Sequence, residues 1–323
     1  MYLVLLFLSI LPVYLLANYI YKNDFDKEPT KLIVKLFACG FGSAALTLFI
    51  SGKILYPLFP FFSAEITELS VIELIPYTFL GVALVEEFCK WIFVYFITYK
   101  NKDFNHAYDA IVYAVLVSLG FACIENVMYV LSNYDVSVAV TRALLAVPGH
   151  ACDAVFMGYF LALAKISDKH ENNSLSTKNK IFSLLVPVVL HGLYDYLIFA
   201  SSHIPIFTLI FFGFVAYIFN KAIETVKRMK VLKIELGNSQ NWNNSNVVSA
   251  YSSVPNANNV VVDYNYNSQL FNNVPSNNQV MYNQQVVPNY QQDNVQYNQV
   301  PDVNYAQNSV QITEQAINNQ QNQ

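Results

Sequence analysis

Within an apolar run, Val85-Glu86-Glu87-Phe88-Cys89-Lys90-Trp91 sets two carboxylates beside one ammonium. On a helix Glu86 and Lys90 are spaced i,i+4 and Glu87 and Lys90 i,i+3, so the lysine reaches either carboxylate. One negative charge is left uncompensated. A carboxylate so placed can take a proton from water, the task of a general base; the plainer alternative is a structural ion pair. Further on, Phe121-Ala122-Cys123-Ile124-Glu125-Asn126-Val127-Met128-Tyr129 puts Glu125 and Tyr129 on one face, with Asn126 offering both a donor and an acceptor. Taken alone, that pattern could be interhelical hydrogen bonding. Pro148-Gly149-His150 is followed by Asp153 at i,i+3 from the histidine, and His191 by Asp195 at i,i+4. A carboxylate at such spacing can orient an imidazole, as it does behind many metal-binding histidines.

Several familiar schemes are absent. The sequence has no His-Glu-x-x-His pair, no Gly-x-Ser-x-Gly elbow and no P-loop. Tyr108-Asp109 and Tyr194-Asp195 lack the Gly-x-Gly-Asp partner of an intramembrane aspartyl site. Clustered basic surface, the footprint of nucleic-acid binding, is missing too. Cys39, Cys89, Cys123 and Cys152 all lie in apolar runs without disulfide or zinc spacing, and are expected to be buried reduced thiols.

The elements that must position these groups are membrane spans. Of 323 residues 54% are hydrophobic and 12% charged, about half the charge of an ordinary soluble domain. A helix needs about 20 apolar residues to cross the bilayer core. Seven segments qualify: Met1–Ile20, Leu32–Tyr56, Ile75–Thr98, Ala107–Leu131, Val136–Ile166, Ile181–Ser201 and Ile204–Val226. The first lacks a basic leader and a cleavage site and is read as a retained span. Basic residues follow alternate spans: Lys22, Lys27, Lys31 and Lys35; Lys100 and Lys102; Lys165, Lys169, Lys178 and Lys180; Lys221, Lys227, Arg228, Lys230 and Lys233. That is 15 of 18 on one side, which the positive-inside rule makes cytoplasmic. The fold class expected is all-α, a polytopic transmembrane helix bundle of about seven spans with its amino terminus outside. Residues 1–233 would form the membrane domain. Residues 234–323, rich in Asn and Gln, read as a disordered cytoplasmic tail able to bind unknown cytoplasmic partners.

Depth brings the polar groups together. At 1.5 Å per residue, Glu86, Glu125, His150 and His191 lie roughly 18, 27, 24 and 15 Å from the cytoplasmic ends of their spans. Four helices thus deliver carboxylates and imidazoles to the middle of a core roughly 30 Å thick. Asp109, near the cytoplasmic start of its span, reads as a solvated end residue without a chemical role.

In this order and spacing the residues resemble PrsW-type intramembrane proteases, related to the wider CAAX-protease and bacteriocin-processing group. The likeness runs from Asp26-Lys27-Glu28-Pro29 through Glu86-Glu87-x-x-Lys90, Asp109-x-Ile111-Val112-Tyr113, Gly120-Phe121-Ala122-x-x-Glu125-Asn126-x-x-Tyr129, Arg142-Ala143 and Pro148-Gly149-His150 to His191-Gly192-x-x-Asp195. Where relatives in the wider group carry a histidine after the Phe-x-x-x element, this chain has Glu125. The resemblance implies that Glu86 and Glu87 are essential and that His150 and His191 complete the site. It also implies membrane-anchored substrates such as anti-sigma factors.

The expected activity is therefore hydrolysis of peptide bonds in single-span membrane proteins, in a bacterial cell membrane. Glu86 or Glu87 would activate water, Lys90 would pair with them, and Glu125 and Asn126 would complete the catalytic group, with Asp153 and Asp195 in support. His150 and His191 would act on the oxyanion or, with Glu86 or Glu87, hold Zn2+, which commonly takes three protein ligands and keeps an open position. The rival reading is a proton- or cation-coupled transporter using the same mid-membrane residues. An inactive scaffold recruiting partners through the tail is a third.

Overall fold

The computed structural model describes residues 2–169, 171–232 and 236; apart from Leu236, the expected tail of residues 234–323 lies outside them. The described residues form helices and no strand. Eight longer helices carry the architecture: α1 (Tyr2–Asn23), α2 (Thr30–Ile50), α3 (Leu84–Thr98), α4 (Asp109–Asn133), α5 (Val136–Leu144), α6 (Ala146–Lys169), α7 (Asn173–Ala200) and α8 (Ile206–Leu232). Among the described residues, six helical lengths are long and apolar enough to cross a membrane: Tyr2–Asn23, Thr30–Leu58, Asp109–Asn133, Val136–Lys169, Asn173–Ala200 and Ile206–Lys230.

The expected third span, Ile75–Thr98, is the one not among the six. It is helical, but a π-helical segment at Tyr77–Ala83 precedes α3, and α3 carries Glu86, Glu87 and Lys90. A second π segment, Ser51–Leu55, extends α2 toward Leu58. The expected fifth span is two helices rather than one. Pro148 has no N–H and its ring crowds the carbonyl four residues back, so regular geometry fails at Leu145 (φ −120°, ψ −59°). Upstream, Tyr134 ends α4 at φ 52°, and the Asp135 carboxylate caps α5 by accepting from Ser137 N–H at 2.7 Å.

α4 is the central helix. Every residue from Asp109 to Cys123 is buried, as suits a helix apolar on all sides. Glycines let its neighbours approach closely. A Cβ on Gly40 of α2 would strike the Val117 carbonyl, and one on Gly120 of α4 the Phe37 carbonyl; Gly158 of α6 lies as tightly against the Ala110 carbonyl. The outward faces of α1, α2 and α8 expose Leu3, Phe7, Leu48, Phe49, Leu209 and Phe212, a surface fitted to lipid. All four cysteines are free thiols, three buried and Cys39 partly so.

The basic connections gather at one end of the bundle. Lys230 of α8 donates to Asn23 of α1 at 2.9 Å, Lys165 of α6 to the Tyr99 carbonyl after α3, and Lys180 pairs with Asp168 at 3.1 Å. At the other end the Tyr2 and Tyr134 rings are 4.7 Å apart. The alternation of basic loops thus corresponds to one physical face.

Candidate active site

Lys90 is the hub. It is fully buried on α3, with its ammonium 2.7 Å from Glu87 Oε1 and 3.5 Å from Glu86 Oε2, the two carboxylates reached one helical turn back. From α6, His150 Nδ1 lies 3.1 Å from the same ammonium. The Phe121 ring of α4 lies beneath it, with its centroid at 4.1 Å. A lysine ammonium has only donors, so His150 Nδ1 must accept. The other ring nitrogen, Nε2, then carries the proton and donates to Glu125 Oε2 at 2.8 Å. Ser118 Oγ donates to the His150 carbonyl at 2.8 Å and ties α4 to α6 at this level.

His191 enters from α7, four residues after Pro187. Its Nδ1 lies 2.8 Å from Glu87 Oε1, while Nε2 lies 3.4 Å from Asp195 Oδ2 and 3.9 Å from Glu86 Oε2. The two imidazole rings are 5.3 Å apart, centroid to centroid. Arg142 of α5 closes the group: Nη2 donates to Glu125 Oε2 at 2.9 Å and Nε to Asn126 Oδ1 at 3.0 Å, and its guanidinium lies over the Tyr129 ring at 4.1 Å.

The residues singled out by type and spacing divide into three groups. Glu86, Glu125, His150, Asp153, His191 and Asp195 line a single cavity of about 600 Å³, with Arg142 and Tyr129 on its wall. Glu87 and Lys90 are sealed behind that wall, 1% and 0% exposed. Asn126 stands apart. Expected among the catalytic residues, it donates to the Ser9 carbonyl of α1 at 2.8 Å and accepts from Arg142 Nε at 3.0 Å. Asp153 likewise does not orient His150, because Lys90 and Glu125 take both of that ring's nitrogens. Arg142, not singled out as a site residue from its own spacing, is the guanidinium that neutralises Glu125. Its signal in the sequence was its cost, a charge within an apolar run.

Donors for a cation are present. Glu87, His150, Asp153 and His191 bring one ligand atom each to within 4.8 Å of one another, as do Glu86, Glu125 and His150. Glu86 Oε2 and Glu87 Oε2 are buried without a hydrogen-bond partner. The donor set fits zinc in kind and spacing, and Lys90 competes for two of its members.

Fold and site together define a polytopic helical membrane protein with carboxylates and imidazoles around a polar cavity inside the bundle. Comparison with known proteins narrows that class. Residues 28–220 match the PrsW family of intramembrane metalloproteases. The chain is 35% identical to Protease PrsW of Oceanobacillus iheyensis over 68% of its own length and 93% of the relative's. It is 38% identical to Protease PrsW of Geobacillus kaustophilus over 59% and 77%, and 33% identical to that of Bacillus subtilis over 60% and 83%. No solved structure matches it significantly. The chain belongs to the PrsW family of intramembrane proteases, and is a multi-pass membrane protein with bacterial relatives.

Proposed function

We propose that the chain is an endopeptidase that cuts single-span, membrane-anchored proteins in its cavity, with Glu86 as the base that activates water. The observation carrying this reading is the different setting of two adjacent glutamates. Glu86 borders the cavity, with Lys90 at 3.5 Å and His191 at 3.9 Å from Oε2, whereas Glu87 is enclosed and held closely, by Lys90 at 2.7 Å and His191 at 2.8 Å. Glu86 takes the proton of the attacking water as the hydroxide adds to the scissile carbonyl carbon, and returns that proton to the amine as the C–N bond breaks. His191 Nε2, on the cavity wall, stabilises the developing oxyanion. Glu87 fixes the His191 ring, and Asp195 faces its outer nitrogen. Lys90 pairs with Glu87 and Arg142 with Glu125, and His150 links those two ion pairs. Asp153 adds a further carboxylate to the cavity wall.

Zinc, where bound, would be held by His150, His191 and Glu86 or Glu87, and would supply Lewis-acid activation of water and carbonyl. Metal content decides between the two schemes. Stoichiometric zinc in the purified wild type, lost from the His150→Ala/His191→Ala variant, assigns the metal scheme. A fully active, zinc-free wild type assigns the reaction to Glu86 without metal.

Anti-sigma-factor-like regulators are the proposed substrate class, resting on the family resemblance. The catalytic unit of this proposal is residues 1–233, with residues 234–323 a cytoplasmic tail that docks partners. The transporter reading gives way to the family assignment. Cleavage of a single-span substrate in liposomes tests the proposal: correctly folded Glu86→Gln must lose activity, and a Glu86→Gln/Glu87→Gln protein that still cleaves would overturn it.

A further inference from the structure

In the proposed reaction the developing oxyanion has one donor, His191 Nε2, and that atom also faces Asp195 Oδ2 at 3.4 Å. Acyl-transfer sites aim several preorganised donors at the oxygen on which charge develops. The other cationic and imidazole groups of the site are committed. His150 Nε2 donates to Glu125 at 2.8 Å, Arg142 spans Glu125 and Asn126, and Lys90 is sealed behind the cavity wall. Ionised carboxylates only accept. A further donor must come from a neutral side chain.

Tyr194 is placed to supply it. It follows His191 on α7 at i,i+3, so the two side chains leave one face of the helix, about 4.5 Å apart along its axis. Both line the cavity that Glu86 borders. The Tyr194 ring is held from two sides. Gly149, which precedes His150 on α6, approaches so closely that a Cβ there would lie 3.5 Å from a ring carbon of Tyr194. From α8 the Phe211 ring packs edge-on, with centroids 5.0 Å apart. α6 and α7 are joined by a short connection and run in opposite directions, so Gly149 and Tyr194 both stand on the outer side of their histidines. The hydroxyl lies within electrostatic reach of Asp195, Arg142, Asp153 and Glu125. Among the described residues, none makes a hydrogen bond with it. A fixed ring thus presents a free O–H beside the polar group.

We propose that Tyr194 is a further catalytic residue, its hydroxyl a second oxyanion donor beside His191. The inference rests on the peptide-bond hydrolysis set out above. As hydroxide adds, the carbonyl π pair moves onto oxygen, and the phenol donates a hydrogen bond to that oxygen while keeping its proton. The pair returns to re-form the C=O bond as the C–N bond breaks and Glu86 protonates the amine. An interaction that strengthens as this charge develops raises kcat and leaves binding of the intact substrate almost unchanged.

Cleavage of a single-span substrate in liposomes by the full chain tests this. Tyr194→Phe deletes an oxygen that no side chain uses, so Tm stays at the wild-type value. Its kcat falls about 10²-fold, with KM within about twofold of wild type. Tyr196→Phe, whose ring packs on Phe207 with centroids 5.7 Å apart, keeps the wild-type kcat. A phosphinic-peptide analogue of the cleaved sequence gives a second reading, because its tetrahedral phosphinate copies the intermediate. Tyr194→Phe binds it about 10²-fold more weakly than wild type, while intact substrate binds equally to Glu86→Gln and Glu86→Gln/Tyr194→Phe. Undiminished kcat and phosphinate binding in Tyr194→Phe, beside an inactive Glu86→Gln, overturn this proposal and leave Glu86 as the base. A raised KM at unchanged kcat overturns it too, since the hydroxyl then only holds substrate, as does a loss of activity that follows a loss of Tm. A wild type that cleaves no membrane substrate overturns both readings.

Discussion

Two groups of buried carboxylates sit about 24 Å apart along α4, and they compensate their charge in opposite ways. Around the cavity, the chain supplies its own cations. Lys90 faces Glu86 and Glu87, Arg142 faces Glu125, and two imidazoles stand between them. At the inner end, Asp24, Glu28 and Asp109 are buried while the local lysine and histidine are turned to other acceptors. A site that must act on water gains from charges fixed by internal partners, because they need no reorganisation when the reaction begins. Buried acids without internal cations depend on protons that the solution supplies.

The sharpest way to break this comparison is at Glu86. Glu86→Gln should lower cleavage about 10³-fold with the fold unchanged, whereas the amide at Glu87 should cost activity together with stability. Circular dichroism beside a cleavage assay separates the two effects, and equal losses from both variants without unfolding would remove the distinction between base and support. Lys90→Met comes next. Leaving Glu87 buried without its partner should destabilise the protein by about 3–5 kcal/mol, and adding Glu87→Gln should restore much of that; a double-mutant unfolding cycle reads the coupling. Arg142→Lys keeps the charge but loses the fork that spans Glu125 and Asn126. A fall of about tenfold in kcat with little change in Tm is expected.

The smallest effect belongs to the inner group. Burial raises Glu28 from its ordinary 4.5 to about 7, so between those values the folded chain holds a proton that the unfolded chain has released. Stability should therefore fall as pH rises through that window and stay low above it. Unfolding midpoints across the window, flat in Glu28→Gln, check the sign. A rise in stability with pH would exclude an uncompensated acid.

Much of the cavity group was legible because transmembrane helices act as rulers. Span ends marked by lysines, plus a fixed rise per residue, put Glu86, Glu125, His150 and His191 at one depth before any contact was known. Rotation about each helix was less legible. Glu86 and Glu87 are neighbours in sequence, and only the packing of α3 against α2, α4 and α7 decides which borders the cavity. Asn126 looked like a partner for Glu125, but α1 claims its amide through the Ser9 carbonyl. Pro148 was visible as a residue, yet the break it causes at Leu145 was read through because both halves are apolar.

By itself, the sequence determined an all-helical membrane protein, the side on which its basic loops gather, and the level at which four helices carry polar groups. These follow from local quantities: apolar length, charge alternation and helical rise. Tertiary structure alone decided that Lys90 stands between Glu87 and His150, that Arg142 neutralises Glu125, and that the 24–29 connection buries Asp109. Each of those joins residues far apart in the chain, where the cost of desolvating a charge is set by which neighbours packing brings to it, and no local pattern contains that choice.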